Sequence, residues 1–376
     1  MKLNPSIMRL RKMDKDDIMF IFHVFVYTFG YGLVSFAYMP YLYHIGSNQY
    51  LMGLSEFLLT LSNLILPLIF IINPEIPLVK YFILYSIIST GILEFLIPHL
   101  SLIQIIILFL IIGISQFLWW YSTELFMVTY LKNSEVVNYY SFTWGISFLI
   151  TPYISSFIIN NYGFVNIYYL GSSVIIISSL LFLKLIKLEY SEYVEKNGDE
   201  KINIFGMLPA LSSGIVLSLI YSIFSYILLN NGYTIIMLGI VFSSVSFGRI
   251  IGFFISIFIK NKRSLRLFTI FSLISMTFIF VPAFSLNFYL IITISYLLGF
   301  GSSLGISLPL IEISLEKGIN SGKSIAIYEL LFGIGISIFS ILGGYLAENV
   351  NSKFPYMLYS FIIFITFLLY LIKKLR

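Results

Sequence analysis

The sequence predicts an all-α, polytopic membrane protein whose chain crosses the bilayer twelve times. Of its 376 residues, 59% are hydrophobic and only 10% are charged, and the mean hydropathy is +0.97. A soluble domain carries about 25% charged residues, so most of this chain cannot face water. Twelve apolar segments are long enough to cross a hydrocarbon core of about 30 Å. Each is predicted to be a helix, because lipid offers no hydrogen-bond partner to an exposed backbone.

The twelve segments fall into two blocks, which a charged stretch at residues 184–201 separates. This division predicts a six-helix bundle at residues 1–187, a linker at 188–204 and a second six-helix bundle at 205–376. In chain order, the predicted helices α1 to α12 span residues 18–43, 47–72, 78–97, 102–131, 136–160, 164–187, 205–230, 233–259, 265–287, 289–315, 324–346 and 354–372.

The basic residues predict the orientation of the chain. Lysine and arginine lie before α1, after α12, in the linker and at the remaining turns on that same side. The opposite loops contain only Lys353. The positive-inside rule therefore places both termini and the linker in the cytoplasm, in a multi-pass protein of the cell membrane. The net charge of +5 reflects this topology and does not indicate nucleic-acid binding, since no basic patch is interleaved with exposed aromatic residues.

The two halves of the sequence resemble one another at a nearly constant offset of 186–188 residues. Three helix pairs show this similarity, and helices of one repeat share the orientation of their counterparts. The sequence therefore predicts two parallel six-helix repeats. The matching glycines are Gly53 with Gly239 in α2 and α8, Gly113 with Gly299 in α4 and α10, and Gly145 with Gly333 in α5 and α11.

Two local patterns resemble those of the major facilitator superfamily. In α5, the run from Thr151 to Ser156 stands where exporters of that family have Gly-Pro-x-x-Gly-Gly. In α1, the ending Ala37-Tyr38-Met39-Pro40 is similar to that of many drug-exporting members. Tyr31 replaces the membrane aspartate of those exporters. The resemblance implies two six-helix bundles that give alternating access to a central cavity, and hence secondary active transport of a small solute.

In the resembling family α1, α4, α7 and α10 line that cavity, so their polar side chains are candidate solute contacts. Aromatic walls that carry hydroxyl and amide groups suit an uncharged or amphipathic small solute. Packing or placement at the membrane interface is the alternative for each tyrosine. The candidates are His23, Tyr27 and Tyr31 in α1, Gln116 and Trp120 in α4, Ser222 in α7, and Tyr296 and Ser303 in α10.

Ionisable residues within the membrane are the strongest sign of a functional site, since each costs roughly 2.5–3.5 kcal/mol at mid-helix. Arg249 lies near the middle of α8, Glu329 lies in α11 and Glu56 lies in α2. One interpretation is a buried structural ion pair of Arg249 with Glu329. The other is that Arg249 holds an anionic group of the solute, while Glu329 or Glu56 exchanges a proton. Glu94, Glu124 and Glu312 lie near helix ends, where they are expected to reach the headgroups.

Small residues predict where the two bundles touch. In the resembling family α2, α5, α8 and α11 form this contact, and small side chains there let helices approach closely and slide. Static packing is the alternative. The predicted contact residues are Gly145, Pro152, Gly335, Gly343 and Gly344.

Other function classes are disfavoured. The chain has no phosphate-binding loop motif, no cysteine and only three histidines, so neither ATP hydrolysis nor a metal site nor a cofactor is predicted. An enzyme would need a cluster of reactive side chains, whereas the few polar side chains of this sequence are dispersed among the helices. A membrane receptor or sensor on the same scaffold is the remaining alternative. The expected partners are the lipid bilayer, an unidentified small-molecule solute and, as a coupling ion, protons; a monomer is expected.

Overall fold

The computed structural model describes residues 14–72, 79–130, 136–187, 204–259, 261–315 and 321–375. Within these residues the regular structure is entirely helical, and twelve helices are long and apolar enough to cross a membrane. The predicted all-α class and number of helices are confirmed. The orientation of the termini stays a prediction. The division into bundles at 188–204 also stays a prediction, because most of the linker lies outside the described residues.

The twelve helices form two halves of six. The first half comprises α1 (Lys15–His44), α2 (Gln49–Thr60 and Ser62–Ile72), α3 (Val79–Leu96), α4 (Leu102–Tyr130), α5 (Val136–Tyr162) and α6 (Phe164–Phe182). The second half comprises α7 (Leu208–Tyr221 and Ile223–Asn230), α8 (Ile235–Ser256), α9 (Lys262–Thr277), α10 (Phe288–Leu315), α11 (Ser321–Gly333 and Phe339–Asn349, joined by the π turn Ile334–Ile338) and α12 (Phe354–Leu375).

Three helices that were predicted as continuous are interrupted: α2 after Thr60, α7 at Ser222 and α11 at its π turn. In α7 the Ser222 hydroxyl donates to the Ser218 carbonyl, which offers the backbone an alternative to regular helical pairing. In the π turn, the Ser337 hydroxyl donates to the Thr60 carbonyl at 2.7 Å. The interruptions of α2 and α11 therefore meet, and they join the two halves.

The repeat predicted from the sequence is visible in the packing within each half. Gly113 of α4 lies directly against the Leu59 carbonyl of α2, leaving no room for a Cβ atom. Gly299 of α10 lies in the same way against the Val245 carbonyl of α8. Leu59 and Val245 are 186 positions apart, as are the two glycines. Equivalent residues thus make equivalent contacts in the two halves.

The halves meet along two equivalent seams, α2 against α11 and α5 against α8. A Cβ atom on Gly53 would lie 2.8 Å from the Gly344 Cα atom, and one on Gly239 would lie 2.8 Å from the Pro152 carbonyl oxygen. Gly145 also packs against α8, where an added Cβ atom would lie 3.1 Å from the Ile250 side chain. Gly145, Pro152 and Gly344 therefore lie between the halves in this structure.

Gly335 and Gly343, which were also predicted at this contact, lie elsewhere. Gly335 packs on Gly214 in α7, and Gly343 faces Tyr359 in α12 and Leu219 in α7. All of these neighbours belong to the second half. The reason is helical geometry: successive residues point about 100° apart, so a helix that is surrounded by neighbours turns adjacent glycines toward different partners.

Aromatic contacts close the space between the halves on one side. This side carries the α1–α2 and α7–α8 loops, and it lies opposite the side where α6 ends and α7 begins, here called the linker side. Phe36 of α1 meets Phe242 of α8 with ring centroids 5.7 Å apart, and Tyr43 meets Tyr226 of α7 at 5.3 Å. The described conformation is therefore closed opposite the linker.

A carboxylate at the end of α11 reinforces this closure. The Glu348 side chain accepts a hydrogen bond from the Gln49 backbone N–H at 3.1 Å and a longer one from the Asn48 side chain at 3.4 Å. Gln49 is the first residue of α2, where unpaired N–H groups and the helix dipole favour a negative charge. Glu348 of the second half thus caps a helix of the first half.

Candidate functional site

A cavity of about 660 Å³ lies between the two halves. This volume is typical of small-molecule sites, which hold about 300–1,000 Å³. Its walls come from α1, α2, α4 and α5 of the first half and from α7, α8, α10 and α11 of the second. It extends toward the linker side as far as Ile259 and Ile311, near the ends of α8 and α10. The cavity is therefore central, and both halves contribute to it.

Aromatic rings form much of the cavity wall in the first half. Trp144 of α5 packs edge-on against Trp120 at 5.9 Å and against Phe148 at 6.0 Å. Tyr31 of α1 meets Phe148 at 5.8 Å, and Trp144 also reaches Phe253 of the second half at 5.0 Å. These rings offer large, rigid surfaces on which a flat solute can stack.

Arg249 lies in the opposite wall of the cavity and is only 8% exposed. Its Nη1 donates to the Tyr221 hydroxyl at 2.7 Å, and its guanidinium lies 4.9 Å from the centre of the Trp144 ring. Its Nε has no hydrogen-bond partner. Within the described residues no carboxylate lies within 4 Å of Arg249, so the ion pair with Glu329 is not formed. The Arg249 guanidinium can therefore donate a hydrogen bond to a further acceptor.

Three carboxyl groups also line the cavity, namely Glu56 of α2, Glu124 of α4 and Glu329 of α11. Glu56 and Glu329 were predicted as ionisable site residues, whereas Glu124 was expected to reach the headgroups. Glu124 follows Trp120 by four residues and therefore shares its helix face. That spacing is the signal from which its place in the cavity could have been predicted.

The stripe predicted on α1 divides between the cavity and the interior of the first half. Tyr31 lines the cavity, as does Trp120 of α4. His23 and Tyr27 lie outside the lining: the His23 Nδ1 pairs with the Ser178 carbonyl at 3.0 Å, and Tyr27 stacks on Trp119 with centroids 3.9 Å apart. Both side chains are completely buried and pack in the core of the first half.

In the second half, the predicted solute contacts also lie outside the cavity lining. Ser222 is buried at the interruption of α7, and the carbonyl of Tyr296 and the hydroxyl of Ser303 pack against glycines of α8. None of the three lines the cavity. Other residues of α7 and α10 line the cavity instead, among them Tyr221, Ser225 and Ser307.

Comparison with known proteins identifies the fold. The sequence matches no family model and no curated protein. The structure is similar to the crystal structure of the nucleoside transporter NupG, with a TM-score of 0.70 over 95% of this chain and 98% of that chain. Sequence identity between the two is 11%. This chain has the major facilitator fold. It is a multi-pass membrane protein with twelve helices, as the sequence predicted.

Within its major facilitator fold, this protein buries one carboxyl that the sequence did not place at a site. Glu94 of α3 was expected to reach the headgroups, but its side chain is fully buried. Its Oε1 accepts a hydrogen bond from the Tyr38 hydroxyl at 2.6 Å, while its Oε2 has no hydrogen-bond partner. The α3 helix packs against α4 and α6, and Gly91, three residues before Glu94, lies against Ile176 of α6. Closeness to a helix end therefore does not bring the Glu94 side chain to the surface.

Gln116 lies one layer behind the cavity wall and connects it to this carboxyl. Its amide oxygen accepts from the Tyr31 hydroxyl at 3.0 Å, and its amide nitrogen donates to the Tyr38 hydroxyl at 3.3 Å. Gln116 was predicted as a solute contact, but it supports the cavity wall without lining it.

Proposed function

We propose that this protein is a secondary active transporter that moves a small solute across the cell membrane by alternating access. The central cavity between the two halves is the observation that carries this proposal. It extends toward the linker side, and contacts between the halves close the opposite side. The seams at Gly53–Gly344 and Gly239–Pro152 bring backbones close together, which suits two bodies that rock against one another.

The lining supports a polar solute with a flat ring. Aromatic faces favour stacking, and the Arg249 guanidinium and the three carboxyls can orient polar groups. Nucleosides belong to this class of solute, and the similar structure is described as a nucleoside transporter. Protons are the proposed coupling ion, with Glu56, Glu124 and Glu329 as candidate carriers. The proposed orientation has both termini in the cytoplasm, and the proposed state is a monomer.

A ligand screen tests this proposal on the purified protein. Nucleosides, aromatic acids, amino acids and sugars are added separately while the melting temperature is measured. A ligand at 100 times its Kd stabilises the folded state by about 2.7 kcal/mol, so we expect a rise of several degrees with a ring-containing polar solute. Uptake of that solute into reconstituted vesicles should follow. Binding without uptake would favour the receptor alternative, and stabilisation by none of the compounds would count against a solute cavity.

Alternating access also predicts a role for Glu348. The change Glu348→Gln removes the negative charge from the start of α2, an interaction that contributes about 0.3–1 kcal/mol and up to about 2. The side opposite the linker should then open more often. A single cysteine at Ser225 in the cavity wall, introduced into the cysteine-free chain, should react about two- to fivefold faster with an impermeant maleimide applied from that side.

The matched control is Lys353→Gln, which changes one exposed charge in the following loop without touching α2. It should leave the labelling rate of the cysteine unchanged. Equal rates in the Glu348→Gln protein and its parent would show that this carboxylate does not hold the two halves together.

A further inference from the structure

Asn63 of α2 and Arg249 of α8 occupy equivalent positions in the two halves. Each lies fourteen residues after the first residue of its helix, which is Gln49 in α2 and Ile235 in α8, and both helices begin on the side opposite the linker. Both side chains line the cavity. Because parallel repeats are related by an axis along the membrane normal, Asn63 and Arg249 lie at the same depth on opposite sides of the cavity.

Aromatic surface accompanies each of these two residues. Gly333 of α11 packs directly against the Asn63 carbonyl, and the preceding residue, Phe332, lines the cavity. The counterpart of Phe332 in the first half is Trp144, whose ring centre lies 4.9 Å from the Arg249 guanidinium. A flat solute between Asn63 and Arg249 can therefore stack on a ring near either end.

The Asn63 side-chain amide has no hydrogen-bond partner among the residues that the structure describes. In the second half the Tyr221 hydroxyl accepts from Arg249, whereas the equivalent residue of the first half is Ser35. The Ser35 hydroxyl donates to the Gly32 carbonyl at 3.4 Å and does not pair with Asn63. A side-chain amide carries N–H donors and a carbonyl acceptor side by side. Asn63 therefore presents an adjacent donor and acceptor to the cavity.

Arg249 presents only donors, since a guanidinium has five N–H groups and stays protonated in proteins. Within the described ranges only its Nη1 has an acceptor, the Tyr221 hydroxyl. That hydroxyl keeps its own hydrogen for a solute. Neither an amide nor a guanidinium changes its charge near neutral pH, so the chemistry at both ends is independent of the protonation of the cavity carboxyls.

We propose that Asn63 is a specificity-determining residue and that one solute spans the cavity from Arg249 to Asn63. The solute class is a flat ring with a carbonyl-type acceptor at one end and an N–H donor beside a carbonyl at the other. The acceptor binds Arg249. At the other end the N–H donates to the Asn63 amide oxygen, and the carbonyl accepts from the Asn63 amide nitrogen. This inference rests on the proposed function and specifies which end of the solute each half recognises.

Two neutral probes differ only in the donor that Asn63 is proposed to recognise. 2-Pyridone-5-carboxamide carries a ring N–H beside a carbonyl, with a carboxamide at the opposite end, and 1-methyl-2-pyridone-5-carboxamide replaces the N–H with N–CH₃. Calorimetric titration of the full-length protein measures both affinities. The methyl group removes one hydrogen bond and leaves the Asn63 amide oxygen without a partner. We therefore expect the N–H compound to bind about fivefold more tightly or better.

The change Asn63→Leu removes the amide and keeps a side chain of similar size. The preference for the N–H compound should fall below about twofold, because no group remains to accept from the donor. Ser62→Ala is the matched control: the Ser62 hydroxyl donates to the Gly113 carbonyl at 2.8 Å, and this residue lies outside the cavity lining, so the preference should stay intact. Arg249→Ala should weaken both probes by a similar factor and retain the preference, since both carry the same carboxamide.

Several outcomes would overturn the inference. Equal binding of the two probes to the parent protein would exclude recognition of the donor, and a preference that persists in Asn63→Leu would exclude Asn63 as its cause. If Asn63→Leu fails to fold, Asn63→Met removes the same amide with an unbranched, adaptable side chain and decides the same question. If neither probe binds while the wider ligand screen finds a transported solute, the solute class is wrong and the transporter proposal stands. Selective binding through Asn63 without uptake into vesicles would support this inference and count against transport.

Discussion

Replacing Arg249 with alanine should leave a folded, membrane-inserted protein that no longer binds its solute. Within the described residues the guanidinium pairs with no carboxylate within 4 Å, so its removal strands no buried charge in this conformation. A hydrogen bond to a charged group contributes about 1.5–3 kcal/mol, which corresponds to a loss of affinity of about 10- to 150-fold. Thermal-shift titration with the ligand found by the screen, followed by uptake into vesicles, measures the loss.

Two further variants distinguish a solute-binding role of Arg249 from a structural one. Arg263→Ala removes an exposed cation near the start of α9, far from the cavity lining, and it should transport normally. The double change Arg249→Ala with Glu329→Ala should recover nothing if Arg249 serves the solute. If Arg249→Ala instead expresses poorly and the double change restores expression, the two residues form a structural pair in another conformation. A stable Arg249→Ala protein with normal rates would contradict the proposed role altogether.

Replacing Gly344 with alanine should slow transport at least about tenfold without preventing membrane insertion. The new Cβ atom would lie 2.7 Å from the Gln49 carbonyl oxygen and 2.9 Å from the Gly53 Cα atom, both backbone atoms of α2. Backbone within a helix yields little, and overpacking of this kind costs about 1–3 kcal/mol. This overpacking destabilises the conformation that is closed on the side opposite the linker. The step of the transport cycle that forms this conformation should therefore be slower. Initial uptake rates into vesicles measure the effect.

Gly343→Ala is the matched control, since it adds the same atom one residue earlier. There the Cβ atom would meet the hydroxyl end of Tyr359 at 3.0 Å and a methyl group of Leu219 at 3.3 Å, both within the second half. Side-chain ends can shift, and the contact between the halves is not involved. We expect uptake within about twofold of the parent protein. Equal rates in the two variants would mean that Gly344 is an ordinary packing residue.

Features that depend on local sequence were predicted correctly. Segment length and hydropathy determine the number of helices, because any sufficiently long apolar stretch must pair its backbone within itself in lipid. The repeat was also legible, since glycines such as Gly113 and Gly299 occur where equivalent helices approach most closely. Tyr31 and Trp120 lie in the cavity wall, and their prediction used helical spacing together with the resemblance to a known family.

Only the tertiary structure decided how each helix is rotated against its neighbours. Spacing predicts which residues share a face, but the partner of that face depends on helix tilt and on interruptions such as those at Ser222 and in α11. For this reason adjacent Gly343 and Gly344 contact different halves. Glu94 shows the same limit, because its position along α3 was readable from the sequence, while its burial depends on how α3 packs against α4 and α6 and on its contact with Tyr38 of α1. Contacts among several helices determine which polar groups meet, and the sequence pattern of a single helix does not specify those contacts.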